Sequence, residues 1–442
     1  PPMSRRDAAA SPGRPGGLAV VLAGGVRPGE RVVERLRLVN AAWLSILAAL
    51  ALSLLGVYAI DVARAVEPAA RDLDPTAWRQ IVFLAVGMLA ALMVALPHYR
   101  FIGWLAWPLY ALCVGVLVFM LVPFVPEAIV RPRNGARAWI NLGFTDFQPA
   151  EVMKIAYVLA VARYLRFRTQ HRRFRGLLVP GLITFVPVAL ITLQPDLGTS
   201  SLFAPTLFGV LIAAGARLRH LTIIVACAAF AAPLSYPLLA PHQKARIVGL
   251  VQQIRGDSTL DQSINFQPET AQRLIGAGRL EGLGDEAARV LVHYNRLPER
   301  HNDMIFSVIV TRFGFLGGVG VMALYLVWVG GALAVAATCR DPYGRLLAVG
   351  SAGFIAAQMF VNIGMNIGLL PIIGVTLPFL SAGGSSMLTV WIFTGLLINV
   401  ALHRPRPPYR TSFEWYEDED GVERAATPWG RKAAWHGRAW TR

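Results

Sequence analysis

The sequence predicts an all-α polytopic membrane protein of about ten transmembrane helices, with one large extracytoplasmic loop between the seventh and eighth. Three observations carry that prediction. Of the 442 residues, 55% are apolar and only 15% charged, against roughly 45–50% and ~25% in soluble proteins. The apolar residues gather into charge-poor runs long enough to cross a bilayer core, which takes about 20 helical residues. Lys and Arg outnumber Asp and Glu by 42 to 26, a formal net charge of +16, and they gather in alternate connections between the runs, as the positive-inside rule requires.

In chain order the runs place spans near 41–60, 80–97, 101–125, 150–165, 179–193, 199–215, 221–240, 304–338, 346–370 and 384–402. As one helix, 179–215 would measure roughly 55 Å, too long for one crossing. Gln194-Pro195-Asp196-Leu197-Gly198 breaks it, so a tight turn joins two spans. The run 304–338 would reach about 52 Å and has to tilt or project beyond the membrane. The patch Leu18–Val26 is short and flanked by Arg, unlike a cleavable signal peptide.

Charge then orients the frame. Arg163, Arg166, Arg168, Arg172, Arg173 and Arg175 follow the fourth span without an acid, which places that loop inside. With the turn at 194–198 outside, Arg217 and Arg219, Arg340 and Arg345, and the Arg404-Arg406-Arg410 tail all fall inside. Residues 1–38 form a basic cytoplasmic arm, 39–402 the membrane domain and 403–442 a cytoplasmic tail expected to be disordered. Both termini are therefore cytoplasmic. The basic surplus meets anionic membrane lipids, and no nucleic acid is needed to explain it. Cys113, Cys227 and Cys339 lie in or beside apolar runs without metal-ligand spacing, so no disulfide framework or zinc module is expected.

The outer side carries the candidate chemistry. The loop 241–303 mixes acids and bases to about zero, and loops of that length are usually functional. Loop 126–149 places Arg131, Arg133 and Arg137 outside, against the usual bias, which suggests anion recognition. Charges inside spans are costly and become candidates by default. Glu151 and Lys154, at i and i+3, share one face of the fourth span, either as a structural pair or as the polar floor of an outward cavity. Asp196 either caps the next helix or serves a site. Asp303, ending Leu297-Pro298-Glu299-Arg300-His301-Asn302-Asp303, stands at the outer start of the eighth span. There it is either a plain helix cap or, with Glu299, Arg300 and His301 beside it, a base in a site suited to an anion and a metal. Gly and Pro punctuate 364–384, where turns at membrane depth are tolerable if they line a cavity. Ser381, Ser385 and Ser386 are placed to bond a ligand or to cap the tenth span. The absence of Walker, Rossmann, zincin and nucleophile-elbow motifs removes ATP-driven transport and soluble hydrolase chemistry.

Five ordered segments carry a resemblance: Asn134-Gly135-Ala136-Arg137-Ala138-Trp139-Ile140, Phe147-Gln148-Pro149-Ala150-Glu151-Val152-Met153-Lys154, Gln194-Pro195-Asp196-Leu197-Gly198-Thr199, the Leu297–Asp303 segment, and Pro378-Phe379-Leu380-Ser381-Ala382-Gly383-Gly384-Ser385-Ser386. Together, over roughly 40–402, they resemble the signatures of the shape, elongation, division and sporulation family, the RodA and FtsW proteins. The resemblance implies a peptidoglycan glycosyltransferase that polymerises lipid II at the outer face of the cytoplasmic membrane and releases undecaprenyl pyrophosphate. It puts the essential acid at Asp303, the paired charges at Glu151 and Lys154, and a further characteristic acid at Asp196. It also implies a divalent cation and a class B penicillin-binding protein as partner. Arg137 and Arg246 are candidate pyrophosphate clamps, and Arg300, His301 and Ser385 complete the candidate cavity. A lipid II flippase and a weakly catalytic scaffold are the competing readings. The chain departs from the family pattern at Asn302, at Ala382, at Gly276-Ala277-Gly278-Arg279 and at Thr311-Arg312, where a Glu-Glu pair is expected. A Gly-Thr-Gln segment expected before the Leu-Pro-Glu motif is not recognisable in 284–296.

Overall fold

The structure, a computed structural model, describes residues 40–63, 73–126, 128–133, 136–143, 145–168, 170–238 and 262–404, together with positions 244, 248, 251, 416–417 and 423–424. Ten helices follow the ten expected spans in order: α1 (Asn40–Val62), α2 (Pro75–Ala95), α3 (Ala106–Leu121), α4 (Pro149–Leu165), α5 (Leu178–Leu193), α6 (Leu197–Ala214), α7 (Leu218–Ser235), and then α10 (Ile305–Thr338), α11 (Pro342–Asn366) and α12 (Gly384–His403). Between α7 and α10 lie α8 (Gln262–Ala277) and α9 (Asp285–Tyr294). Among the described residues, eight helices are long and apolar enough to cross a membrane, and α7 adds a shorter apolar stretch, Leu218–Ala231. The chain is a multi-pass membrane protein. The basic arm 1–38 and Arg246 lie outside the described residues, as does most of the tail. The chain divides into two units, 1–404 and 405–442. In the second, β4 (Tyr416–Glu417) pairs antiparallel with β5 (Glu423–Arg424).

Helix α4 is the least apolar of the ten and also the most enclosed. Fourteen of its 17 residues are buried, with α3 and α11 packed along it. A helix surrounded by other helices need not present an apolar face to lipid, so it can carry charge. Where the sequence suggested only a loop, residues 130–147 form a small antiparallel sheet, β1 (Val130–Arg133), β2 (Ala136–Asn141) and β3 (Asp146–Phe147), with Val130 opposite Ile140 and Ile140 opposite Phe147. Its strands are too short to show a period of two clearly.

The expectation of a single helix of about 52 Å is corrected. Helix α10 breaks at Gly314, where φ is 70° and ψ −168°, leaving roughly 13 Å of helix before the break and roughly 36 Å after it. The second piece alone matches a bilayer. The break strands backbone groups, and the segment after α8 satisfies them. Phe315 N donates to Arg279 O at 2.8 Å, Leu316 N to Leu280 O at 3.2 Å, and Leu283 N to Thr311 O at 3.0 Å. A Cβ on Gly314 would lie 2.2 Å from Leu280 O, so both the torsion and the space require glycine. Next to the break, Arg312 pairs with Asp285 at the start of α9 and donates to Tyr58 Oη at 3.0 Å, while Arg289 pairs with Asp61. The outer-loop helix α9 is thereby pinned to α1 and α10. Hydrogen bonds from Tyr58, foremost, and from Arg312 hold the Asp285 carboxyl below the usual carboxylate range.

At the far end of α10, Asp341 caps α11 and gathers two other elements, the short helix Tyr99–Ile102 and the end of α4. It accepts from Tyr99 Oη at 2.9 Å and Arg100 Nε at 3.1 Å, and pairs with Arg166 at 3.8 Å. Burial alone would raise its carboxyl; the hydrogen bonds from Tyr99, Arg100 and Tyr343 N outweigh it and hold the pKa low.

Gly314→Ala is expected to destabilise the membrane domain by about 1–3 kcal/mol or more, the cost of a forced left-handed torsion plus a backbone clash. A fall in the thermal midpoint of the detergent-solubilised protein checks this, and an unchanged midpoint would mean that the break does not need glycine.

Candidate active site

Asp303 sits in the turn before α10 and is 6% exposed. The N-cap position of α10 falls on Met304, the residue after Asp303. The three carbonyls that lead into the helix are each held by another part of the chain. Ala382 N donates to His301 O at 2.8 Å, and Ser381 Oγ to Asn302 O at 2.6 Å. Asn362 Nδ2 and Asn366 Nδ2 donate to Asp303 O at 2.8 and 2.9 Å.

The connection 367–383 between α11 and α12 is the hub. Gln80 of α2 grips it from one side, donating to Ser381 O at 2.9 Å and accepting from Gly383 N at 3.1 Å. Ser381 Oγ also accepts from Leu377 N at 2.7 Å. Phe379 takes a left-handed φ of 66°, which is unusual and strained for a bulky residue. It is held there by packing against Trp328 and Trp391, with ring centroids 6.0 and 6.1 Å away. Gly198 lets the turn after α5 approach this connection, since a Cβ there would meet Ile373 O at 2.4 Å.

On the other side of the hub lies the buried charge pair. Lys154 Nζ donates to Glu151 Oε1 at 2.8 Å and to Gln358 Oε1 at 3.2 Å. Gln358 Nε2 reaches Thr376 O at 3.3 Å, and Thr376 Oγ1 lies 3.2 Å from Ser386 Oγ. The pair is thus tied to the connection that also holds Asp303. Glu151 Oε2 is buried and has no hydrogen-bond partner among the described residues. It is a ready acceptor for a hydroxyl or a water.

Asp196 has the structural job of a helix cap, as one of its two readings expected. It accepts from Thr199 N at 2.9 Å and from Gln148 Nε2 at 2.9 Å. Burial raises its pKa, opposed by the Thr199 bonds. Ser385 Oγ accepts from Gln148 N at 3.1 Å, so both residues fix the start of α4. Arg137 donates to Val125 O at 2.8 Å and ties β2 to the end of α3. That bond makes Arg137 a brace for the sheet. Arg246, the other proposed clamp, is not among the described residues.

Arg300 and His301 share a cavity of about 400 Å³ with His293, Arg296, Glu299 and Asn302. Asn302 donates to the Glu299 carboxylate at 2.5 Å, leaving Arg296 and Arg300 as the cationic groups of the wall. Burial, aided by the Arg300 charge, lowers the His301 pKa, so the ring is neutral near pH 7. Among the described residues no three His, Cys, Asp or Glu side chains converge as a metal-ligand set, so the implied divalent cation finds no protein cage there.

Sequence reasoning passed over Gln80, Gln148, Gln358, Asn362, Asn366 and Thr376. A signal existed for three of them: Gln358, Asn362 and Asn366 recur every four residues on an apolar helix, which puts three carboxamides on one face.

A helical membrane protein with buried charges gathered around one interhelical connection is the class that this geometry defines. The chain belongs to the FtsW, RodA and SpoVE family of cell cycle proteins, whose model matches residues 40–406. It is 33% identical over 327 residues to stage V sporulation protein E of Bacillus subtilis, covering 73% of this chain and 86% of that one. It is 32% identical over 330 residues to the peptidoglycan glycosyltransferase MrdB of Escherichia coli, covering 74% and 85%. It is 33% identical over 395 residues to a probable peptidoglycan glycosyltransferase FtsW of Alkalilimnicola ehrlichii, covering 87% and 94%. Among solved structures it resembles a chain from a peptidoglycan synthase complex that coordinates polymerization and crosslinking, with a TM-score of 0.68, 30% identity and coverage of 81% and 97%. The rod shape determining protein RodA of Thermus thermophilus matches with a TM-score of 0.59 and 28% identity, covering 83% and 98%.

Replacing Lys154 alone with Met should strand a buried carboxylate and cost about 3–5 kcal/mol. Adding Glu151→Gln should recover much of that loss. Thermal unfolding in detergent of the single and double variants is the measurement, and equal midpoints for the two would show that the ion pair is not what stabilises this region.

Proposed function

We propose that this protein is a peptidoglycan glycosyltransferase that polymerises lipid II at the outer face of the bacterial cytoplasmic membrane, with both of its termini in the cytoplasm. The observation that carries the reading is a buried aspartate, held through three successive backbone carbonyls, beside a basic cavity in a chain whose relatives bear that activity in their names.

Asp303 acts as the general base. The hydroxyl of the acceptor sugar gives its proton to the Asp303 carboxylate as its oxygen attacks the anomeric carbon of the donor. A new C–O bond forms, the bond from that carbon to the pyrophosphate oxygen breaks, and undecaprenyl pyrophosphate leaves with the electron pair. Arg300, with Arg296 in the same cavity wall, stabilises the charge that develops on the departing pyrophosphate; guanidinium groups suit phosphate oxygens through paired hydrogen bonds. Neutral His301 can donate one hydrogen bond without adding charge. Glu151 Oε2 offers an acceptor for a sugar hydroxyl, while Lys154 holds the other oxygen of that carboxylate. The working form includes a class B penicillin-binding protein, in keeping with the likeness to a synthase complex.

Asp303→Asn keeps the shape of the side chain and removes the base. In proteoliposomes that contain the partner transpeptidase and lipid II, glycan polymer should fall by a factor of about 10²–10⁴, with lipid II binding retained. Polymer at the wild-type rate would overturn the assignment of the base.

A further inference from the structure

We propose that Asn362 and Asn366 are positioning residues for glycosyl transfer, acting on Asp303 through its main-chain carbonyl. The inference rests on Asp303 being the base. Both carboxamides are fully buried on α11. Asn362 Nδ2 has two hydrogens and two acceptors, Asp303 O at 2.8 Å and Val375 O at 2.7 Å. It therefore joins α11, the residue before α10 and the 367–383 connection at one atom. Asn366 Nδ2 donates to the same Asp303 carbonyl at 2.9 Å and to Asn362 O at 2.9 Å. Both of those acceptors are carbonyls and require the amide NH2, so Oδ1 is turned to Ser307, whose Oγ donates to it at 2.6 Å.

The consequence is geometric. A carboxyl group is two bonds from its Cα, so a carbonyl held by two donors fixes the peptide plane and limits the directions in which the side chain can leave the backbone. The first turn of α10 cannot supply this restraint alone, because Ser307 N donates to Met304 O at 3.1 Å. The helix below is also short, ending at the Gly314 break, so its start is set by what it touches rather than by a long rigid rod. Misplacing a catalytic group by about 1 Å can cost 10²-fold in rate, and groups that fix a reacting side chain from behind commonly decide whether a site is productive.

A purely structural role would predict only a loss of stability, so the test needs a matched control. Asn399 on α12 is also fully buried and also donates to two main-chain carbonyls, Val94 O at 2.6 Å and Pro97 O at 2.5 Å. It does so away from Asp303. Asn362→Leu and Asn399→Leu are to be compared in the complex with the partner transpeptidase, measuring the thermal midpoint and the kcat and KM for lipid II polymerisation. Both should lower the midpoint. Only Asn362→Leu should lower kcat, by about 10- to 100-fold, with KM within about twofold of wild type because the substrate-contacting groups are untouched. Asn366→Leu, like Asn362→Leu, leaves one donor on Asp303 O but keeps the tie to Val375 O, so it should fall in between and serves if Asn362→Leu does not fold. Asn362→Asp, buried and neutral, keeps one donor and should recover part of the lost kcat. Equal kcat losses in the Asn362 and Asn399 variants, or a wild-type kcat in both the Asn362 and Asn366 variants, would overturn the proposal. A fully active Asp303→Asn would instead overturn the assignment of the base, so the two failures are distinguishable.

Discussion

Everything at the Asp303 end of the bundle follows from one constraint: irregular backbone at membrane depth has to find its hydrogen-bond partners within the protein. The connection 367–383 has no helix or strand to satisfy its amides and carbonyls, so side chains from three helices do it. Gln80 from α2 and Gln358 and Asn362 from α11 reach across with their carboxamides, while Ser386 at the start of α12 lies against Thr376. A carboxamide suits this work because it carries donors and an acceptor without a charge that would itself need neutralising. The same groups that make the irregular segment tolerable also hold the residues before α10, so stabilising the turn and placing Asp303 are one task.

The break in α10 obeys the same rule. A long helix interrupted at Gly314 exposes amides on one side, and the turn after α8 supplies the carbonyls of Arg279 and Leu280. Two results follow from one local solution. The transmembrane part of α10 is cut to bilayer length, and the loop that carries α8 and α9 is fastened to the membrane domain beside the turn that ends in Asp303. Arg312, out of pattern for the family, makes sense in this setting. It faces Asp285 and Tyr58 rather than a substrate, and a cation there completes a pair that an acid would repel.

The number and order of the spans were legible in the sequence because length and hydropathy in a bilayer leave few alternatives. So was the break between α5 and α6, since a proline followed by a cap residue interrupts an overlong run. The break in α10 was not legible, because Gly314 is one of many glycines in that helix and only the contact with Leu280 distinguishes it. Asp303, Glu151, Lys154 and Asp196 stood out as charges in or next to apolar runs. Their roles did not: Asp196 became a cap, while at α10 the cap position falls one residue past Asp303. The carboxamides were overlooked because uncharged polar residues weigh little in a search for ionisable groups, although their spacing of four marked one face of α11. The brace that Arg137 provides was not legible either, since a charge in a short loop says nothing about the carbonyl it will meet.

The distribution of buried polarity also bears on how substrate is handled. Among the described residues the buried carboxylates and the buried lysine are Glu151, Lys154, Asp303 and Asp341, and each lies in or beside the first turns of a helix. Several hydroxyls buried within the spans donate to their own helices, Ser53 to Ala49 O, Ser351 to Leu347 O and Thr394 to Val390 O, and others tie neighbouring helices together, as Ser45 does at Trp328 O. A path that moves a charged headgroup through the bilayer needs polar stations that face it along the way. Here the buried charges are held at the helix ends. Such a bundle serves as a rigid frame around a site at one membrane face, and that arrangement favours chemistry on a lipid-linked substrate already delivered there over carriage of the substrate across.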